Sequence, residues 1–249
     1  MAAPLTDTSA TVRHTTVKIC GITTSELAIA AASLGAEMIG VVFASSRRQV
    51  SEEAAKSIRS ALNRHKQETG ERPLLVGVFV NESPRRMLQI AAQVGLDVLQ
   101  LSGDESPEDT ARCAESYPVL KAFRFPPVLG TEQALDLLEG YAMEGARFGV
   151  RPLMDAYRSG EYGGTGQLAD WTVAAALAAR YEIVLAGGLA PANVAEAITS
   201  VRPWGVDVSS GVELEGKKDP QSMKNFVAAV RECASMDAAT APGKVKANR

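Results

Sequence analysis

Residues 16–43 read TVKICGITTSELAIAAASLGAEMIGVVF, and the fold turns on how this stretch is parsed. TVKIC (16–20) and MIGVVF (38–43) are short, nearly continuous apolar runs, as expected of strands buried on both faces. Between them, TTSELAIAAASLG closes on a glycine, the residue that tolerates the left-handed turn ending a helix. The stretch is therefore a strand, a helix and a second strand, the repeating unit of a parallel sheet.

The same beat continues to the end of the chain. Further strands are predicted at LLVGVFV (74–80), DVLQL (97–101), VLKAFRF (119–125), RPLMDA (151–156), IVLAG (183–187) and GVDVS (205–209). Helices are predicted over 24–34, 51–67, 84–94, 107–115, 130–141, 170–180, 191–199 and 219–233. SPRRMLQIAAQVG and SPEDTARCAES each carry a serine N-cap followed by proline at the first helical position. Eight alternations across about 220 residues predict a single-domain α/β protein, a closed (β/α)8 TIM barrel. The rival, an open doubly wound sheet, usually has fewer strands and a switch point. The barrel is placed at 15–234, with a leader (1–14) and a tail (235–249) whose composition reads as disordered arms.

Composition narrows the function classes. The 249 residues are 46% hydrophobic and 22% charged, with a formal net charge of −3. That gives no electrostatic case for nucleic acid or an anionic membrane as partner. No apolar stretch approaches the ~20 residues of a membrane span, and MAAPLTDTSATVRH lacks the apolar region of a secretory signal. Three cysteines (Cys20, Cys113, Cys233) without CxxC spacing argue against a disulfide framework or a zinc site. They fit a reducing, cytoplasmic setting, and neither a metal nor a cofactor is called for. The two histidines, His14 and His65, lie in polar surroundings. Acid–base chemistry would then fall to Cys, Asp or Glu.

A barrel gathers its functional residues at strand C-termini and in the loops that follow. AGGLAPANV and DVSSGVE follow the seventh and eighth strands. Gly187, Gly188, Ser209, Ser210 and Gly211 there could form a phosphate cup of backbone amides and hydroxyls, with Pro191 opening a helix behind it. After the sixth strand, DAYRSGEYGGTGQLADW is long and polar, and Gly163, Gly164 and Thr165 mark it as a lid or binding loop. Asp155 begins that loop, and Cys20 ends the first strand. Arg47 and Arg48 lie beyond the second strand, where a guanidinium could grip a carboxylate with two hydrogen bonds. Asp207 is a carboxylate inside an apolar strand, costly unless paired or used.

VKICGIT, GVVFASSRRQVS, VGVFVN, VLQLSGDE, GGTGQLADW, LAGGLAPANV and GVDVSSGVE resemble, in order, the motifs of the phosphoribosylanthranilate isomerase family of tryptophan biosynthesis. The resemblance spans nearly all of residues 16–232. It implies an Amadori rearrangement of an aminoaldose to an aminoketose on a small phosphosugar–anthranilate substrate, by a monomer or homodimer. By motif, Cys20 would be the general base and Asp155 the general acid. Arg48 would hold the anthranilate carboxylate, Asp207 would steady the amine side, and the glycine and serine loops would hold the phosphate. Two positions depart from the pattern: Ser102 stands where histidine is common, and Arg47 where proline is common. Two alternatives stay open. One is a dual-substrate isomerase that also serves histidine biosynthesis, against which Cys20 speaks, because such enzymes generally place aspartate there. The other is a non-catalytic phosphate-binding barrel.

Overall fold

The computed structural model describes residues 14–126, 129–142, 149–156 and 170–240. Eight parallel strands close into a barrel: β1 (Thr16–Cys20), β2 (Met38–Val42), β3 (Leu74–Phe79), β4 (Val98–Leu101), β5 (Val119–Phe123), β6 (Val150–Met154), β7 (Val184–Leu185) and β8 (Gly205–Val208). β8 pairs back onto β1. The helices between them are α1 (Ser25–Ser33), α2 (Glu52–Thr69), α3 (Pro84–Val94), α4 (Pro107–Ala114), α5 (Thr131–Ala142), α6 (Trp171–Ala178), α7 (Val194–Val201) and α8 (Pro220–Thr240). The predicted barrel is therefore the observed one.

Local chemistry sets the helix ends. Ser51, Ser83 and Ser106 each accept a backbone N–H of the first turn, and α3 and α4 both start on proline. Gly70 and Gly95 close α2 and α3 with left-handed backbone. Two helix ends differ from expectation by three residues or more. α7 begins at Val194, with Asn193 as its N-cap, so Pro191 lies in the turn before the helix. There the Asn193 side chain accepts from Ala190 N–H at 2.8 Å and donates to the Gly188 carbonyl at 3.0 Å. These bonds hold the chain in a turn before it can coil. α8 extends to Thr240, into the segment expected to be the tail. Residues 1–13 and 241–249, which carry most of the predicted arms, lie outside the described residues.

Strand alternation sorts the core into two compartments. Val17, Ile19, Ile39, Leu75, Leu99 and Val206 face the helices. Met38, Val76, Val98, Leu120, Leu153 and Val184 fill the barrel interior, with Trp204 packed against them. Two lysines are buried among the barrel strands on opposite sides of this wall. Lys18 alternates with Val17 and Ile19 and faces inward. Lys121 alternates with Leu120 and Ala122 and faces the helices.

Lys121 donates to Glu105 and to the Gly103 carbonyl, both at 2.8 Å. Glu105 also accepts from the backbone N–H groups of Asn81 and Gly103. A buried pair adds little net stability, but losing one partner strands the other charge. Glu105→Ala is expected to destabilise the barrel by about 3–5 kcal/mol. At about 2–4 °C per kcal/mol for a domain this size, thermal unfolding should fall by roughly 10 °C. A shift under two degrees would refute this.

Candidate active site

Cys20 is the last residue of β1, buried at 8% exposure with its side chain turned into the barrel mouth. The glycine that follows it has a structural cause. Gly21 holds a left-handed φ of +79°, and a Cβ there would lie 2.4 Å from Cδ of Arg48. Only glycine lets the chain turn out of β1 while the Arg48 side chain crosses over it. Gly40, register partner of Cys20 on β2, clears the other flank: a Cβ would come within 2.8 Å of the Cys20 sulfur and 3.2 Å of Lys18 Nζ.

Below Cys20, Lys18 of β1 stands in register with Asp207 of β8, and Nζ donates to Oδ2 at 2.9 Å. Burial alone would lower the Lys18 pKa, but Asp207 and Cys20 outweigh it and hold the value above the ordinary one. Among the described residues, Oδ1 of Asp207 is buried without a hydrogen-bond partner. Burial pushes the Cys20 thiol up. Lys18 and Lys218 pull it down, and Asp207 adds to the upward push.

Asp155 follows β6 directly, one residue beyond the strand end, and its Oδ1 accepts from Ala156 N–H at 2.9 Å. Burial raises its pKa, and Asp207 adds to that. Arg124, the Ala156 amide and Lys18 oppose it. Nε of Arg124 lies 3.7 Å from Oδ2 of Asp155, and the Arg124 guanidinium also donates to the Ser102 carbonyl. Cys20 ends β1 and Asp155 follows β6, at the same end of the barrel, and they have Lys18 and Asp207 as shared electrostatic neighbours.

The loops after β7 and β8 interlock. Gly187 and Gly188 have φ of +80° and +64°. A Cβ on Gly187 would sit 2.5 Å from Ala156 N, and one on Gly211 only 1.9 Å from the Leu189 carbonyl oxygen. Ser209 Oγ donates to the Cys20 carbonyl at 3.2 Å, which ties this rim to β1. Ser210 and Gly211 lie in a short 3₁₀ turn, Ser210–Val212.

The sequence reading missed four charged residues here. After the turn, a hairpin of β9 (Glu213–Leu214) and β10 (Lys217–Lys218) folds over the barrel mouth. Lys218 Nζ donates to Glu213 at 2.6 Å and to the Ser209 carbonyl at 2.8 Å. Glu213 also takes Nε and Nη2 of Arg48, at 2.7 and 2.9 Å, and Nη2 of Arg47 at 2.6 Å. Burial would raise the Glu213 pKa, but the bonds from Arg48 and Lys218 prevail and hold it at about 2. Arg48 is the inward arginine, with 13% of its side chain exposed against 56% for Arg47. Lys18 and Arg124 carry a signal that was readable: Lys18 is a charge inside apolar β1 and Arg124 follows β5 by one residue, each in phase with an inward-facing position. Glu213 and Lys218 sit in an irregular stretch and carry none. Gly163, Gly164 and Thr165 lie outside the described residues. Among the described residues, no group of three His, Cys, Asp or Glu could hold a metal ion. No helix there is long and apolar enough to cross a membrane.

The chain is similar to known proteins over most of its length. A sequence profile for N-(5'-phosphoribosyl)anthranilate (PRA) isomerase matches residues 17–229. An N-(5'-phosphoribosyl)anthranilate isomerase of Roseiflexus sp. (strain RS-1) is 47% identical over 218 residues, covering 88% of this chain and 98% of that protein. A monomeric form of the dimeric phosphoribosylanthranilate isomerase of Thermotoga maritima superposes with a TM-score of 0.72 at 36% identity, over 88% of this chain and all of that one. Another phosphoribosylanthranilate isomerase was solved with reduced 1-(o-carboxyphenylamino)-1-deoxyribulose 5-phosphate. It gives a TM-score of 0.70 at 35% identity over 88% of this chain and 100% of its own. The chain belongs to the N-(5'-phosphoribosyl)anthranilate isomerase family.

Proposed function

We propose that this barrel converts N-(5-phosphoribosyl)anthranilate to 1-(2-carboxyphenylamino)-1-deoxyribulose 5-phosphate by general acid–base catalysis, without metal or cofactor. The observation that supports the reading is a thiol at the end of β1 and a carboxyl just past β6, at the same end of the barrel, that share Lys18 and Asp207 as electrostatic neighbours. In the first step Asp155 gives its proton to the ribose ring oxygen. The C1′–O bond breaks and the nitrogen lone pair forms a C1′=N iminium. Cys20 then takes the proton from C2′. The freed pair becomes the C1′=C2′ bond while the C=N pair returns to nitrogen, giving an enolamine. Protonation at C1′ and loss of the C2′ hydroxyl proton yield the ketone.

The remaining residues bind. Gly187, Gly188, Ser209, Ser210 and Gly211 form the rim for the phosphate, where close backbone approach suits an anion held by amides. Asp207 presents Oδ1 to the anthranilate amine. Arg48 has spent two nitrogens on Glu213, which fixes its plane and leaves Nη1 to meet the anthranilate carboxylate. The compound bound by the solved relative carries the same carboxyphenylamino and phosphosugar groups. A cytoplasmic place of work and a monomer or homodimer accompany the reading, and a dimeric relative fits the latter.

The direct test is loss of substrate fluorescence on adding the purified protein; no turnover would end the proposal. Arg48→Ala is expected to raise KM by about 10–100-fold, the worth of one charged hydrogen-bonded contact, with a smaller change in kcat. Unchanged KM would remove Arg48 from the site. Comparable turnover of the histidine-pathway aminoaldose would favour the dual-substrate alternative.

A further inference from the structure

Lys18 is an unusual tenant of a barrel interior. Its side chain is 1% exposed, and Val76, Val98, Leu120 and Leu153 fill the space around the barrel axis. Placing an ammonium there is costly unless the charge is paired or used. Pairing accounts for one of its three donors, the 2.9 Å bond to Oδ2 of Asp207. The Cys20 thiol lies on the same face of β1, two residues on, and is a hydrogen-bonding and electrostatic neighbour of the ammonium. Gly40 leaves the space in which the two meet, since a Cβ there would crowd both atoms. Among the described residues Oδ1 of Asp207 is buried with no hydrogen-bond partner, the one polar atom of the pair left unsatisfied there.

We infer that Lys18 is a positioning residue: its ammonium, shared between Asp207 and Cys20, steadies the thiolate that acts as base and turns the second oxygen of Asp207 toward the substrate. The consequence for turnover rests on the isomerase reading above, whereas the proton affinity of the thiol is readable without substrate. Lys18 stays charged throughout, so it never competes with Cys20 for the C2′ proton. The charged groups facing the thiol are Lys18 on its own strand, Asp207 on β8 and Lys218 on β10. A lysine serving only to fill the barrel would leave the thiol's proton affinity unmoved. One serving Cys20 gives shifts of opposite sign when either member of the pair is neutralised.

The experiment is the pH dependence of Cys20 alkylation by iodoacetamide, with Cys20→Ser as the blank for Cys113 and Cys233. Burial pushes the Cys113 thiol up to about 12, which keeps its background small. An opposite charge in contact is worth about 1–3 units. Lys18→Met is therefore expected to raise the alkylation midpoint by about one unit or more, slowing alkylation about tenfold at a fixed pH below both midpoints. Asp207→Asn is expected to lower the midpoint, because it removes a negative neighbour and frees the ammonium for the sulfur. Lys18→Met/Asp207→Asn, which strands no charge, should lie above Asp207→Asn alone and serves if the single lysine variant does not fold. A folded Lys18→Met protein with an unmoved midpoint, or a double variant no higher than Asp207→Asn, overturns the inference. Wild-type turnover of the anthranilate substrate is measured separately, so failure of the isomerase reading would be recognised on its own.

Discussion

Replacing Cys20 by alanine is expected to lower kcat for N-(5-phosphoribosyl)anthranilate by about 10²–10⁴-fold, the usual contribution of one positioned base. Thermal stability should move little, because the change removes one sulfur at the rim of the barrel and leaves every backbone bond of β1 in place. Cys20→Ser sharpens the test. A hydroxyl fits the space, but its pKa is far too high for it to act as the base, so serine should be nearly as slow as alanine. Turnover within a few-fold of wild type in either variant would remove Cys20 from the chemistry.

Asp155→Asn should cost a similar factor, about 10²–10⁴ in kcat, and should also change the shape of the pH profile. The two groups must hold one proton between them, in the arrangement thiolate plus carboxylic acid. Thiol plus carboxylate carries the same charge and does nothing. Burial raises both groups; Lys18 and Lys218 oppose the rise at Cys20, and Arg124, the Ala156 amide and Lys18 oppose it at Asp155, so the two share Lys18 and Asp207 as electrostatic neighbours. The limbs of a bell-shaped profile then belong to the pair rather than to either residue. Asp155→Asn should abolish the alkaline limb, because no acid then has to keep its proton, and leave a profile of kcat/KM that only rises with pH as Cys20 ionises; a fall at high pH that persists would assign that limb elsewhere. Stability gives an independent sign. Because the folded pKa of Asp155 is raised, the native state holds a proton that the unfolded chain releases. Its contribution to stability is therefore lost as pH climbs from the ordinary carboxylate range through the raised value. Asp155→Asn should lack that loss and melt no lower than wild type at neutral pH.

The strand and helix order was legible because the strands are mostly runs of apolar residues and two helices announce their starts with Ser-Pro. The candidate site was legible where chemistry interrupts a pattern: a cysteine ahead of glycine, an aspartate in GVDVS, glycine pairs after strands. Three things were not. The Lys18–Asp207 bond depends on β8 closing beside β1, a pairing 189 residues apart that no local window contains. Asn193, not Pro191, opens α7, because a side chain that bonds both ways across a turn overrides the proline preference. The hairpin bearing Glu213 and Lys218 has strands of two residues each, too short for any periodicity to register.

The closure of β8 onto β1 has a consequence for how the protein comes into being. Cys20 and Lys18 leave the ribosome well before Asp207, Ser209 and Lys218. Until that final strand arrives, the early lysine has no counterion and the rim has no tie to the thiol. A nascent chain cut short before residue 205 would therefore carry most of the barrel's mass and none of its reactivity, and activity during translation should rise in a single late step.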